Sequence, residues 1–223
     1  MPKQNLFPLL LILFLIFLAL TACQKANLAS SNPSTSLSQE AMRAQIISAF
    51  KSQNDHPHRI ESVITTGDQT VTVRIEFVPP DRYSISSPDN FYRQIIIIDQ
   101  VVYGLTNNQW AKLPLNPDQL INPNALKEME ASLQDMQYLG QETLGDKKVN
   151  VFQFKSQTTI GESPVDQQNK LWVGLADGLP YKLEIDGQIA TMDARTNTIQ
   201  GVKALTVQTM TYDPAIKIEA PPD

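Results

Sequence analysis

Cysteine, histidine and basic residues are scarce in this sequence of 223 residues, and each shortage argues against a class of protein. The single cysteine, Cys23, excludes an internal disulfide framework and any cysteine-rich zinc or iron–sulfur site. Two histidines leave little material for a histidine metal cluster or a Ser-His-Asp triad. Because 18 basic residues face 23 acidic ones, the chain lacks the clustered positive charge that nucleic-acid binding requires.

Motifs that support catalysis or cofactor binding are also missing. The sequence has no G-x-S-x-G nucleophile elbow, and its 9 glycines are scattered over turns instead of forming a phosphate-binding loop. The segment Asp55-His56-Pro57-His58 offers metal-binding side chains, but two histidines around a proline are more typical of a surface turn. The sequence therefore predicts a protein that is not an enzyme and that uses no metal and no cofactor.

The N-terminus has the pattern of a signal peptide. Lys3 precedes an unbroken apolar run, Leu6–Leu20, and small residues follow that run. The run is shorter than the roughly 20 residues that a membrane-spanning helix needs. A basic residue, a short apolar run and a small-residue cleavage site predict a signal peptide over residues 1–22.

The end of this signal peptide resembles the cleavage site of bacterial lipoproteins. It reads Leu20-Thr21-Ala22-Cys23, an aliphatic residue and two small residues before a cysteine. The resemblance implies that Cys23 is acylated, with palmitate or a similar chain, and becomes the first residue of the mature protein. Two or more acyl chains would anchor the protein firmly in a membrane. We therefore expect an extracytoplasmic protein of the cell envelope, attached through its N-terminal lipid.

Residues 23–36 are predicted to form a flexible tether after the acylated cysteine. They are small and polar, with one proline and no hydrophobic period. A flexible chain of this length has a root-mean-square reach of about 20 Å. The folded domain, residues 37–223, would then lie close to the membrane surface.

Two amphipathic helices are predicted in this domain. Ser36-Leu37-Ser38-Gln39 has the form of a capping box with Ser36 at the N-cap, and Met42 and Ile46 begin an apolar face at helical spacing. A second helix is predicted over Pro123–Met136, with Met129 on its apolar face.

About ten strands make up the rest of the predicted domain. The clearest lies over residues 71–77, where every second residue is apolar. Short turns between successive strands are typical of an antiparallel meander, and Ser156–Gln168 is predicted to be a polar loop. Two helices cover only part of so large an apolar face. Either a second sheet covers the remainder, as in a sandwich, or the sheet curls around the helices and leaves apolar surface open to a ligand.

Several segments resemble the LolA/LolB/LppX-like superfamily of bacterial lipoprotein and lipid carriers. They are Pro80-Asp81-Arg82-Tyr83 followed by Tyr103-Gly104 and Asn108-Gln109-Trp110, then Leu171-Trp172-Val173 followed by Asp177–Glu184, and finally Tyr212-Asp213 with Ile216-Lys217-Ile218. In this order they cover most of Leu37 to Pro221. The resemblance selects the curled sheet. It implies an α+β half-barrel, a strongly curved antiparallel sheet of about ten strands with two main helices on its concave side.

The resemblance also implies an apolar cavity that binds a lipid or the acyl chain of a lipoprotein, in a carrier, receptor or transfer role. A structural or interaction lipoprotein with a filled core, acting in an envelope complex or in signalling, is the alternative. The predicted cavity residues are those on the apolar faces of the strands and helices: Met42, Ile46, Val71, Val73, Ile75, Phe77, Tyr83, Ile85, Met129, Leu183 and Ile185. Neither the protein partner nor the exact ligand follows from the sequence.

Overall fold

The fold is given by a computed structural model that describes residues 37–87, 93–160, 163–193 and 198–222. The predicted signal peptide, Cys23 and the tether lie outside these residues and stay predictions. In the part of the chain that the structure describes, neither helix is long and apolar enough to cross a membrane.

The described residues form one open antiparallel sheet. Its eleven strands, one more than the sequence predicts, are β1 (His58–Thr66), β2 (Gln69–Val78), β3 (Arg82–Ser86), β4 (Gln94–Ile98), β5 (Val101–Thr106), β6 (Gln109–Leu113), β7 (Gln134–Leu144), β8 (Lys147–Ile160), β9 (Ser163–Gly174), β10 (Pro180–Asp193) and β11 (Thr198–Tyr212). Their order is β6-β5-β4-β3-β2-β1-β11-β10-β9-β8-β7, and each neighbouring pair is antiparallel. Because β6 and β7 are the two edges, the sheet does not close.

The first helix, α1 (Gln39–Gln53), begins later than the sequence predicts. Its N-cap is Ser38, whose hydroxyl accepts a hydrogen bond from the backbone N–H of Ala41 at 3.1 Å. The predicted cap at Ser36, which lies outside the described residues, is therefore wrong. Serine, a favoured N-cap residue, occupies both positions, so the sequence alone does not distinguish them.

The second helix, α2 (Ala125–Ser132), is shorter than the predicted Pro123–Met136. Leu133 already has extended backbone angles, and β7 starts one residue later. Leu133 and Met136 are nevertheless buried in the core to which α2 contributes. The apolar spacing thus predicts burial correctly, but an irregular strand start with a register shift supplies the same burial without a helix.

Both helices pack against one face of the sheet, which we call the helix face. A single buried core joins the helices to seven strands: Met42, Ile46, Ile47, Ala49, Ile60, Ile64, Val73, Ile75, Met129, Leu133, Met136, Phe152, Phe154, Leu171, Val173, Leu183, Ile185, Ala204 and Met210. Arg43 of α1 fixes the second helix by donating to the carbonyl of Glu130 at 2.5 Å and to that of Leu133 at 2.7 Å.

The opposite face of the sheet carries smaller apolar clusters. Ile96 and Ile98 of β4 are buried there against Ile218, from the segment that follows β11. Arg82 of β3 donates a hydrogen bond to the carbonyl of Ile218 at 3.3 Å. The C-terminal segment therefore protects an apolar strand that would otherwise be exposed on this face.

The predicted polar loop Ser156–Gln168 is wrong. Strand β8 continues to Ile160 and β9 begins at Ser163, with Ser156 opposite Gln167 in the register. Polar residues of this hairpin, including Ser156, Thr158 and Gln167, are buried on the helix face, so polar residues interrupt the apolar alternation by which a strand is recognised. A strand whose inner face is polar shows no hydrophobic alternation and resembles a loop in sequence.

Candidate functional site

A cavity of about 280 Å³ lies on the helix face, between the sheet and the two helices. Strands β1–β3 and β8–β11 form its wall, with the end of α1 and the chain from Ile121 to Met129. Exposed Asn54 and Pro123 are among its lining residues, so the cavity reaches the surface between the end of α1 and the segment before α2. The lining residues are Phe50, Gln53, Asn54, His58, Ile60, Ile75, Phe77, Tyr83, Ile121, Asn122, Pro123, Ala125, Leu126, Met129, Phe154, Gln167, Asn169, Leu183, Ile185, Gln208 and Met210.

One end of the wall is aromatic. The rings of Phe77 and Tyr83, on neighbouring strands, have centroids 4.8 Å apart, and the ring of His58 lies 5.2 Å from that of Phe77. Burial, with a smaller contribution from the charge of Asp81, raises the pKa of Tyr83, which keeps its phenol neutral. The tilted ring contacts give a rigid apolar surface at this end of the cavity.

His58 is a wall residue, not part of the surface turn that the sequence predicts. Its side chain is buried, and its Nδ1 lies 2.8 Å from the carbonyl oxygen of His56. Burial lowers the pKa of His58, against a smaller opposite effect of its backbone hydrogen bonds, so the ring is neutral at pH 7. No lysine, arginine, aspartate or glutamate occurs among the described residues that line the cavity. The wall is therefore uncharged at neutral pH.

The predicted cavity residues fall into two groups. Six of them line the cavity: Ile75, Phe77, Tyr83, Met129, Leu183 and Ile185. Met42, Ile46 and Val73 are buried in the core beside it, and Val71 and Ile85 are half-buried against that core. Alternation assigns all the strand positions to one face, but it does not say which of them a helix covers.

The sequence analysis missed several wall residues. Ile60 of β1 and Met210 of β11 face each other in the register, and the alternation of their strands contained the signal that would have identified them. Gln53, Asn169 and Gln208 are buried polar wall residues. No sequence pattern identifies these, because a polar residue at an inward position reads as a break in the alternation.

Comparisons with known proteins show which solved structures share this fold. No protein-family profile matches the sequence, and no curated protein matches it in sequence. Among solved structures, LprF from Mycobacterium bovis superposes with a TM-score of 0.54 and 10% identity, over 83% of this chain and 99% of LprF. Lipoprotein LppX from Mycobacterium tuberculosis superposes with a TM-score of 0.51 and 9% identity, over 82% of this chain and 100% of LppX. The chain therefore shares the fold of LprF and LppX, in agreement with the resemblance that its sequence motifs show.

Proposed function

We propose that this protein is a membrane-anchored bacterial lipoprotein that binds an acyl chain of a lipid or of another lipoprotein, and that it is not an enzyme. The observation that carries the proposal is the uncharged, mainly apolar cavity that reaches the surface beside α1. Burial of apolar surface supplies about 0.8 kcal/mol for each methylene group, so a hydrocarbon chain needs no charged partner in such a site.

The size of the cavity suits one chain. Its volume of about 280 Å³ is close to the lower end of the range for small-molecule sites, roughly 300–1,000 Å³. We infer that one acyl chain, or part of one, occupies it at a time and that the remainder of a larger ligand stays at the mouth. That arrangement suits a carrier, receptor or transfer role, because the ligand stays accessible to the next partner.

The strand composition of the wall supports the half-barrel with its helices on the concave side. Seven neighbouring strands, from β3 through β1 and β11 to β8, contribute to this one cavity. If the sheet were flat, seven strands would extend over about 29 Å at roughly 4.8 Å per strand. A sheet that bends strongly around the cavity would bring all seven strands into contact with it.

The proposed attachment rests on the N-terminal motif. A signal peptide over residues 1–22, an acylated Cys23, a tether to residue 36 and a half-barrel domain from residue 37 to 223 would place the cavity outside the cytoplasm, beside the membrane. LppX, which shares the fold, is itself named a lipoprotein. We expect Cys23→Ala to abolish labelling by a fatty-acid analogue and to leave unprocessed precursor. Labelling that persists in this variant would show that the anchor lies elsewhere.

Bound lipid tests the function directly. The full chain is purified from membranes in CHAPS, a steroid detergent without an acyl chain, and extracted with organic solvent for mass spectrometry. A covalent anchor stays on the protein, so extracted lipid is cavity ligand or background. Phe77→Trp, which fills the wall, should lose this lipid, while the control Thr72→Trp, exposed on the same strand, should keep it. Equal yields from all three proteins, or no lipid at all, would favour the structural lipoprotein with a filled core.

A further inference from the structure

Two side-chain amide nitrogens of residues in the cavity wall have no hydrogen-bond partner. Gln53, the last residue of α1, is 5% exposed, and Gln208 of β11 is 2% exposed. The side-chain Nε2 of each makes no hydrogen bond with any described residue. Both residues line the cavity. The two unpaired N–H donor groups thus belong to residues on opposite sides of the cavity, Gln53 on the helix side and Gln208 on the sheet side.

Other buried amides of the same wall are satisfied. The Nδ2 of Asn169 donates to the carbonyl of Phe154 at 3.4 Å and to the hydroxyl of Ser156 at 3.3 Å. The Nε2 of Gln167 donates to the carbonyl of Gln188 at 3.2 Å. The fold therefore provides partners for polar wall residues elsewhere and leaves these two without one.

An unpaired buried amide destabilises a protein, because its donors lose water and gain nothing in return. Apolar residues of similar size would fill the same space without that cost. An unpaired amide in a native protein therefore needs an explanation. A hydrogen-bond acceptor on a bound ligand would explain both the missing partner and the position of the amide in the cavity wall. Each amide nitrogen offers two N–H groups, so the pair is suited to carbonyl oxygens.

The charge of the wall restricts the ligand further. An ionised carboxylate or phosphate inside the cavity would be buried without a positive partner, since the described lining residues include no lysine or arginine and His58 is neutral. An ester or amide carbonyl has acceptor oxygens and no charge. It therefore matches both the donors and the electrostatics of the wall.

We propose that Gln53 and Gln208 bind the uncharged carbonyl that joins an acyl chain to the rest of its ligand, so that the protein selects acyl esters and amides over free fatty acids and plain hydrocarbon. This inference rests on the proposed function. The apolar wall residues hold the hydrocarbon, and the two amides fix the position of the linkage. Both an acylglycerol and an N-acylated protein terminus contain such a carbonyl.

Competition against a fluorescent probe tests the selection. N-phenylnaphthylamine is bound to the full chain in CHAPS and displaced by methyl dodecanoate, dodecane or, at pH 8, dodecanoate. We expect the ester to displace the probe at concentrations about threefold to tenfold lower than dodecane, the effect of a single net hydrogen bond. Dodecanoate should compete more weakly than the ester. Comparing didecanoylglycerol with N-dodecanoylglycinamide then separates the two natural sources of the carbonyl.

Two variants assign the effect to the amides. Gln208→Met and Gln53→Met keep the side-chain length and remove the donors. Each should lose the ester preference, which is the ratio of the dodecane to the methyl dodecanoate concentration that displaces the probe from the same variant. Neither should lower the melting temperature without ligand, because an unsatisfied group has been removed. Gln153→Met is the matched control: Gln153 is half-buried, and it alternates with Phe152 and Phe154 and so lies on the opposite face of β8.

The outcomes separate this inference from the proposed function. If methyl dodecanoate and dodecane compete equally with the native chain, or if both variants keep the ester preference, the carbonyl role is wrong and acyl binding stands. If no acyl compound displaces the probe, the proposed function fails and the carbonyl role fails with it.

Discussion

Two neighbouring regions of the helix face have the same apolar character but different surroundings. In the first region, which we call the covered core, Ile46 of α1 and Val73 of β2 belong to the same buried cluster and are almost fully buried. In the second, the cavity wall, Ile75 and Phe77 continue the same strand with the same alternation, yet they border open space. The comparison shows that alternation determines the face of a residue, whereas the position of a helix determines whether that residue becomes covered core or cavity wall.

Truncation should separate the two regions most strongly. Ile46 is fully buried, so Ile46→Ala should lower the free energy of unfolding by about 2–5 kcal/mol. Ile75→Ala enlarges a cavity that already exists and should cost less, about 1–2 kcal/mol from lost apolar burial. Urea denaturation of both variants measures this difference. Equal losses would mean that Ile75 belongs to the covered core.

Enlargement should separate them in the opposite way. Val73 and Ile75 are two residues apart on one face of β2. Val73→Trp overpacks the covered core. Extra methylene groups in a packed core cost about 1–3 kcal/mol, and the larger indole ring should lower the free energy of unfolding by at least that amount. Ile75→Trp should fill the cavity, change the stability little and reduce the binding of an acyl probe. If Ile75→Trp unfolds the protein as Val73→Trp does, the distinction between the regions fails.

Hydrogen bonds between the two helices hold α2 over the sheet, so their removal tests how α2 is positioned beside the cavity. Arg43→Met removes the two hydrogen bonds to the carbonyls of Glu130 and Leu133 and should cost about 1–2 kcal/mol in the free energy of unfolding. Lys51→Met, at an exposed position of the same helix, is the control. Thermal melting measures both. A variant of Arg43 as stable as the control would show that packing alone positions α2.

The smallest expected effect is a pH dependence of the cavity wall. Burial lowers the pKa of His58, so the unfolded chain binds more protons than the folded one once the pH falls below the ordinary value of 6.5. Stability contributed by neutral His58 is therefore complete above about pH 6.5 and is lost as the pH falls below it. His58→Asn should have a smaller drop in melting temperature between pH 7.5 and pH 5 than the native chain. Identical drops would contradict the buried, neutral state of this ring.

The sequence predicts the antiparallel strands and their turns more completely than it predicts the residues of the cavity wall. Strands β2 and β3 alternate, and the turns β1–β2 and β4–β5 occur at Gly67 and at Asp99-Gln100, residues that all adopt positive φ. Where inward residues are polar, as in Ser156–Gln168, local pattern fails because burial there depends on contacts between distant strands. Gln53 and Gln208 could not be assigned to the wall for the same reason. Six of the eleven predicted cavity residues do line it: strand alternation identified five of them, and helical spacing identified Met129.

A photoreactive acyl chain tests the central claim most directly. A dodecanoyl ester with a diazirine on its chain is irradiated with the full-length protein, and the cross-linked residues are identified by mass spectrometry. Cross-links should fall on the cavity wall, at Ile75, Phe77, Leu183 and Ile185, and should disappear in Ile75→Trp. Cross-links confined to the opposite face of the sheet, or unchanged in that variant, would contradict acyl binding in this cavity.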